Sequence, residues 1–101
     1  MITTFKKMIK KLNAKKELTK EQTRDILLQA QKDFNLGPVE MAAILTGNKK
    51  GYGTYKKWVI QGSELRKPTL SVLAHIDTLY DYYNFNQTKF IKYLEIKLNN
   101  T

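Results

Sequence analysis

The chain has 101 residues and no cysteine. A disulfide framework, a thiolate metal site and a cysteine nucleophile are therefore excluded. Long apolar runs are missing too. A run such as Met41 to Leu45 falls far short of a membrane span or a signal-peptide core, so the expectation is a soluble, cytoplasmic protein. There are only two prolines and one histidine, and no acidic residue occurs between Glu40 and Glu64. Sustained apolar–polar alternation is absent, which argues against strands.

These absences also bear on enzymatic chemistry. His75 is the sole histidine, and Asp77 follows two positions later, on a different face of the predicted helix. Asp77 and Asp81 are i,i+4 neighbours, but two acids alone do not make an acid–base site. No nucleophile elbow or metal-ligand spacing occurs. The glycine-rich stretch is not a phosphate loop. Gly51 is followed by Tyr52 and Gly53 by Thr54, with no lysine between glycine and hydroxyl. The expectation is a non-enzyme with no catalytic residue, metal or cofactor.

What is present is positive charge, unevenly placed. Lys and Arg number 18 against nine Asp and Glu, for a net charge of +9. Residues 1–67 hold 15 basic and six acidic side chains; residues 68–101 hold three of each. A basic field over two thirds of a chain attracts polyanions and speeds their encounter. The neutral last third is rich in Tyr and Phe, which suits a core or a partner interface.

The periodicity predicts an all-α fold, a compact bundle of five to six short helices. Residues 1–18 read as a basic arm or amphipathic helix, with Phe5, Met8 or Ile9, and Leu12 between lysines. Thr19 and Gln22 form a capping-box pattern opening a helix whose face is Ile26, Leu27, Ala30 and Phe34. Gly37 and Pro38 end it, and Pro38 suits the first position of the next helix, to Leu45. A turn "TGNKKGYG" follows, then a helix from about Gly53 to Gln61, stopped by Gly62. A helix from Pro68 or Thr69 has Leu70, Leu73, Ile76 and Tyr80 at core spacing. A last helix carries Phe90 or Ile91, Leu94 and Leu98 on one side. Three units are expected: the arm, residues 19–83, and the C-terminal helix of residues 84–101, a candidate dimerisation element.

Two short helices across a glycine turn read as a helix-turn-helix, whose second helix enters the major groove of DNA. Ala42 suits the close crossing of the two helices. Met41, Ala42, Leu45, Tyr55 and Trp58 form the expected motif core. Tyr52, Thr54, Lys56, Lys57 and Gln61 are the expected base-reading residues, with Asn48 a further candidate for adenine. Lys49, Lys50, Ser63, Arg66 and Lys67 are expected on phosphates.

"NLGPVEMAAIL", "TYKKWVIQG" and "KPTLSVLAHIDTL" together resemble the Cro/CI-like (Xre) helix-turn-helix regulators. The matching positions are Met41-Ala42, Leu45, Tyr55, Trp58, Gly62, Pro68-Thr69-Leu70, Leu73, Ile76 and Leu79. The turn between the motif helices is longer than the family's, and Val59 stands where an acid often follows the tryptophan. The resemblance implies a transcriptional regulator, a repressor or autoregulator of a phage or mobile-element operon, bound as a homodimer to an inverted repeat in double-stranded DNA. Two other readings remain: a small phage-type inhibitor of a host protein or nucleoprotein, and an RNA-binding regulator. A membrane-surface role for the lysine-rich start is disfavoured by its few large apolar residues.

Overall fold

The computed structural model describes residues 18–100. The basic segment expected to act as an arm or helix therefore lies, but for Leu18, outside the described residues. Helix α1 spans Lys20–Asp33. Thr19 Oγ1 accepts the Gln22 N–H at 3.0 Å, and Gln22 Oε1 accepts the Thr19 N–H at 2.8 Å. Two otherwise unpaired N–H groups are thus satisfied reciprocally, as the capping-box pattern predicts. The stop comes earlier than Gly37-Pro38. Asn35 adopts the left-handed conformation, with φ 56°, and the Leu36 N–H reaches back to the Gln31 carbonyl at 3.0 Å. Asparagine tolerates that conformation, so it closes the helix in the place glycine usually takes.

Gly37 and Pro38 instead open helix α2, Pro38–Thr46. Glu40 Oε1 accepts the Gly37 N–H at 2.8 Å, and proline occupies the first turn, where a missing donor costs nothing. Five consecutive residues, Met41 to Leu45, are buried. A helix that is apolar nearly all round must be surrounded, and α2 packs against all three later helices, α3 (Tyr52–Val59), α4 (Leu70–Phe85) and α5 (Gln87–Asn99).

Helix α3 starts one residue before the expected Gly53 and ends two before Gln61. Ile60 is already extended, with ψ 153°, so Gly62 does not end the helix. Gly62 lies in the following loop with φ 103°, a conformation favouring glycine. In α4, Leu73, Ile76 and Tyr80 are buried as expected, but Leu70 is 68% exposed. It stands about 60° beyond Leu73 around the helix, on the side away from Ile76. Asn86 ends α4 and begins α5, where its Oδ1 accepts the Lys89 N–H at 3.0 Å. Phe90 and Leu94 face inward, while Ile91 is 56% exposed.

All the regular elements of the described residues are α-helices, so the fold is an all-α bundle. One core joins Leu27, Met41, Tyr55, Ile76, Tyr80, Phe90 and Leu94, so α5 shares the interior of the other four helices. Phe34 lies at its centre of aromatic packing, 4.9 Å between ring centroids from both Tyr80 and Phe90. Tilted aromatic pairs at this spacing are attractive beyond their buried area. The Tyr80 hydroxyl donates to Asp33 Oδ2 at 2.6 Å, which ties α4 to the end of α1.

Candidate nucleic-acid interface

Helix α3 has one buried side and one polar side. Tyr55 is fully buried, and Trp58 and Val59 are partly buried against the core. Tyr55 and Trp58 meet edge to face, 6.2 Å between centroids. Tyr52, Gly53, Thr54, Lys56 and Lys57 are exposed. At 100° per residue, Gly53 and Lys57 fall one turn apart in the middle of the outward side, flanked by Tyr52 and Lys56 on one edge and Thr54 on the other. The expected base-reading set is thus gathered on one surface, with one exception. Gln61 is exposed but lies beyond the end of the helix, because the chain becomes extended at Ile60.

The helix is held from behind by α1. The Tyr55 hydroxyl donates to Gln31 Oε1 at 2.7 Å. Burial pushes the phenol pKa up to about 12, so the hydroxyl remains a donor at neutral pH. Arg24 Nε donates to the Val59 carbonyl at 2.9 Å. That contact satisfies a C-terminal carbonyl and sets a cation at the negative end of the helix dipole. Sequence alone singles out neither Arg24 nor Gln31. Both are polar residues on a surface helix, and nothing in their spacing marks a partner more than 20 positions away.

The turn before α3 is tightly built. Gly47 ends α2 in the left-handed conformation, φ 71°. Asn48 Oδ1 accepts the Lys50 N–H at 2.8 Å, so the Asn48 side chain is engaged in the turn rather than presented for adenine. Gly51 is buried. A Cβ there would strike the Thr46 side chain and come within 3.0 Å of the Asn48 carbonyl oxygen. Gly53 differs: a Cβ there meets nothing within 4 Å. Lys49 and Lys50 are exposed at the outside of this turn. No side chain caps the N-terminus of α3.

The loop after α3 returns along it. The Arg66 N–H donates to the Lys57 carbonyl at 2.7 Å, which sets residues 62–67 beside the end of the helix. Ser63 and Arg66 are exposed and Lys67 is half-buried. The Arg66 guanidinium bonds its own loop, to the Ser63 and Leu65 carbonyls at 3.3 and 3.2 Å. The residues expected on phosphates thus flank both ends of α3. Lys49, Lys50, Lys56, Lys57, Arg66 and Lys67 share this region with a single acid, Glu64. Of the expected motif core, Met41, Ala42, Leu45 and Tyr55 are buried, and Trp58 is partly so.

Among the described residues, no group of three or more His, Asp or Glu is placed to hold a metal ion. No described helix is long and apolar enough to cross a membrane. No protein-family model, curated protein or solved structure matches the chain.

Proposed function

We propose that this protein is a sequence-specific double-stranded-DNA-binding transcriptional regulator, with α2 and α3 as the two helices of a helix-turn-helix and α3 lying in the major groove. The observation that carries the reading is the division of α3. Its apolar side is locked to α1 and α2 through Tyr55 and Trp58, while Tyr52, Thr54, Lys56 and Lys57 face outward between two basic loops. A rigid helix with a polar, basic outer side is what groove reading requires. Lysine favours guanine, and the threonine methyl favours the thymine methyl. Lys49, Lys50, Arg66 and Lys67 neutralise phosphates on either side and release counterions, which supplies affinity without sequence preference.

The resemblance to Cro/CI-like regulators adds the biological setting: a repressor or autoregulator of a phage or mobile-element operon, acting in the cytoplasm as a homodimer on an inverted repeat. In the segment Tyr80 to Leu98, Tyr80, Phe90 and Leu94 are buried in the monomer core, and Tyr82, Tyr83, Tyr93 and Leu98 pack partly against it. Phe85, Ile91 and Ile96, each more than half exposed, are the outward apolar residues of that segment left for a dimer contact.

Selection of bound duplexes from a random pool at physiological ionic strength tests the reading, with wild type run beside Lys56→Ala/Lys57→Ala. Recovery of an inverted repeat by wild type, lost or altered in the double variant, is the expected result. Equal, motif-free recovery by both proteins would overturn it and direct attention to RNA or a host protein as the partner.

A further inference from the structure

The protein is strongly basic, yet one of its grooves is acidic. Between the α1–α2 turn, the end of α4 and α5 lies a cavity of about 310 Å³. Phe34, Phe90 and Leu94 bring core side chains to it, and Leu36, Ile91 and Leu98 line its more open parts. Three acids border it: Asp33, Glu40 and Glu95. No Lys or Arg is among the described residues that line it. Asp33 accepts hydrogen bonds from the Gln29 amide and the Tyr80 hydroxyl, and Glu40 accepts one from the Gly37 N–H; none of these donors is a cation. Such a groove is complementary to a segment that is apolar on one side and cationic on the other.

We infer that the groove takes the chain's own N-terminal segment, residues 1–17, with its apolar side chains inward and its lysines toward the three acids. By sequence this segment holds six lysines and one acid, and Phe5, Ile9 and Leu12 recur at i, i+4 and i+7. It lies outside the described residues, and the described chain starts at Leu18, beside the first turn of α1. The groove borders Asp33 at the other end of that helix. Fourteen residues of helix span about 20 Å. Extended, the chain from Leu12 to Leu18 reaches about 20 Å, so a segment running back beside α1 brings Leu12 to the groove. The inference goes beyond the proposed function.

The absence of cysteine makes the full chain suitable for site-specific labelling. A nitroxide on Thr4→Cys, read through amide broadening in the ¹⁵N-labelled protein without DNA, is the direct test. Broadening centred on Leu36, Ile91, Glu95 and Leu98 is expected. It should weaken about threefold with Glu95→Lys, an exposed position, because one attraction becomes a repulsion. Lys6→Glu/Lys10→Glu should weaken it similarly while leaving the groove itself unchanged. No broadening at the groove, or broadening indifferent to both charge reversals, overturns the inference. Broadening that appears only between a spin-labelled chain and a separate ¹⁵N-labelled chain also overturns it, by assigning the groove to a second copy. None of these readouts depends on an operator, so the inference and the DNA-binding reading fail separately.

Discussion

The hydroxyl of Tyr55 and the side-chain amide of Gln31 are joined by a 2.7 Å hydrogen bond across 24 residues of sequence. The bond fixes the rotation of α3 against α1, and so determines which residues of α3 face outward. Tyr55→Phe keeps the ring and removes the bond, leaving a polar group without its partner. A loss of about 1 kcal/mol of stability is expected by denaturant titration. A double-mutant cycle with Gln31→Leu should show coupling between the two sites, since the pair shares one interaction.

Alkaline pH should expose the same burial. The Tyr55 pKa is pushed up to about 12 by burial, and that of Tyr80 is also raised, by burial first and then by Asp33. A phenol whose folded pKa exceeds its unfolded value stabilises the fold fully below the unfolded value. That contribution is lost as pH rises through the folded pKa. Stability should therefore fall above the ordinary tyrosine value of 10.0. Tyr55→Phe should make the decline shallower in denaturant titrations repeated along a pH series.

Two glycines two positions apart should respond oppositely to alanine. Gly51→Ala forces a methyl into Thr46 and toward the Asn48 carbonyl, so the turn must open. A loss of about 1–3 kcal/mol is expected. Gly53→Ala enters open space inside a helix and should stabilise by about 0.5–1 kcal/mol. If α3 lies in a DNA groove, that methyl stands in the middle of the contact surface. The same variant should then bind DNA more weakly while melting at a higher temperature. Unchanged or tighter binding would contradict the proposed placement of α3.

If α3 lies in a DNA groove, salt dependence should separate the lysines proposed for phosphates from those proposed for bases. Lys49→Ala or Lys50→Ala should weaken binding to all duplexes alike. Each should reduce the slope of log affinity against log salt by about 0.9 for every phosphate that is no longer neutralised. Lys57→Ala should relax sequence preference at one base position and cost about 1–3 kcal/mol there. Binding isotherms at several salt concentrations, on matched and mismatched duplexes, distinguish the two effects.

His75 should give stability a mild dependence on pH. It is half-buried on α4 and borders a cleft of about 320 Å³ whose walls include the C-terminal end of α2, Tyr93 and Lys97. Burial, and then the positive charge of Lys97, lower its pKa below 6.5. The unfolded chain therefore takes up a proton more readily than the folded one. Stability should be full above the unfolded value and should decline as pH falls through the folded pKa. Thermal melts between roughly pH 5 and 7 should show this slope, and His75→Gln should flatten it.

Much of the architecture is legible in the sequence because it depends on local chemistry. Thr19 and Gln22 announce the start of α1, Pro38 the start of α2, and Gly47 its end. Ile26, Leu27, Ala30, Leu73, Ile76 and Tyr80 recur at helical spacing and are buried. The departures have physical causes of the same scale. Asn35 takes the left-handed conformation that closes α1, ahead of the expected Gly37-Pro38 stop. Ile60 turns extended before Gly62 is reached. Leu70 lies beyond the buried stripe because it falls about 60° past Leu73 on the side away from Ile76.

The candidate interface divides in the same way. The concentration of Lys49, Lys50, Lys56, Lys57, Arg66 and Lys67 around a glycine turn is a property of the sequence alone. So is the exclusion of cysteine chemistry. Periodicity also separates Tyr55 and Trp58 from Lys56 and Lys57, because one helical turn determines their relative angles. Which end of the helix the later basic residues reach is decided only in three dimensions, where the Arg66 N–H meets the Lys57 carbonyl. The supports of α3, Arg24 and Gln31, likewise appear only there. So does the use of Phe90 and Leu94 inside the monomer rather than on its surface. Helical periodicity ranks residues around one axis, whereas these outcomes depend on the relative placement of helices far apart in the chain. That placement is decided by how their side chains pack together.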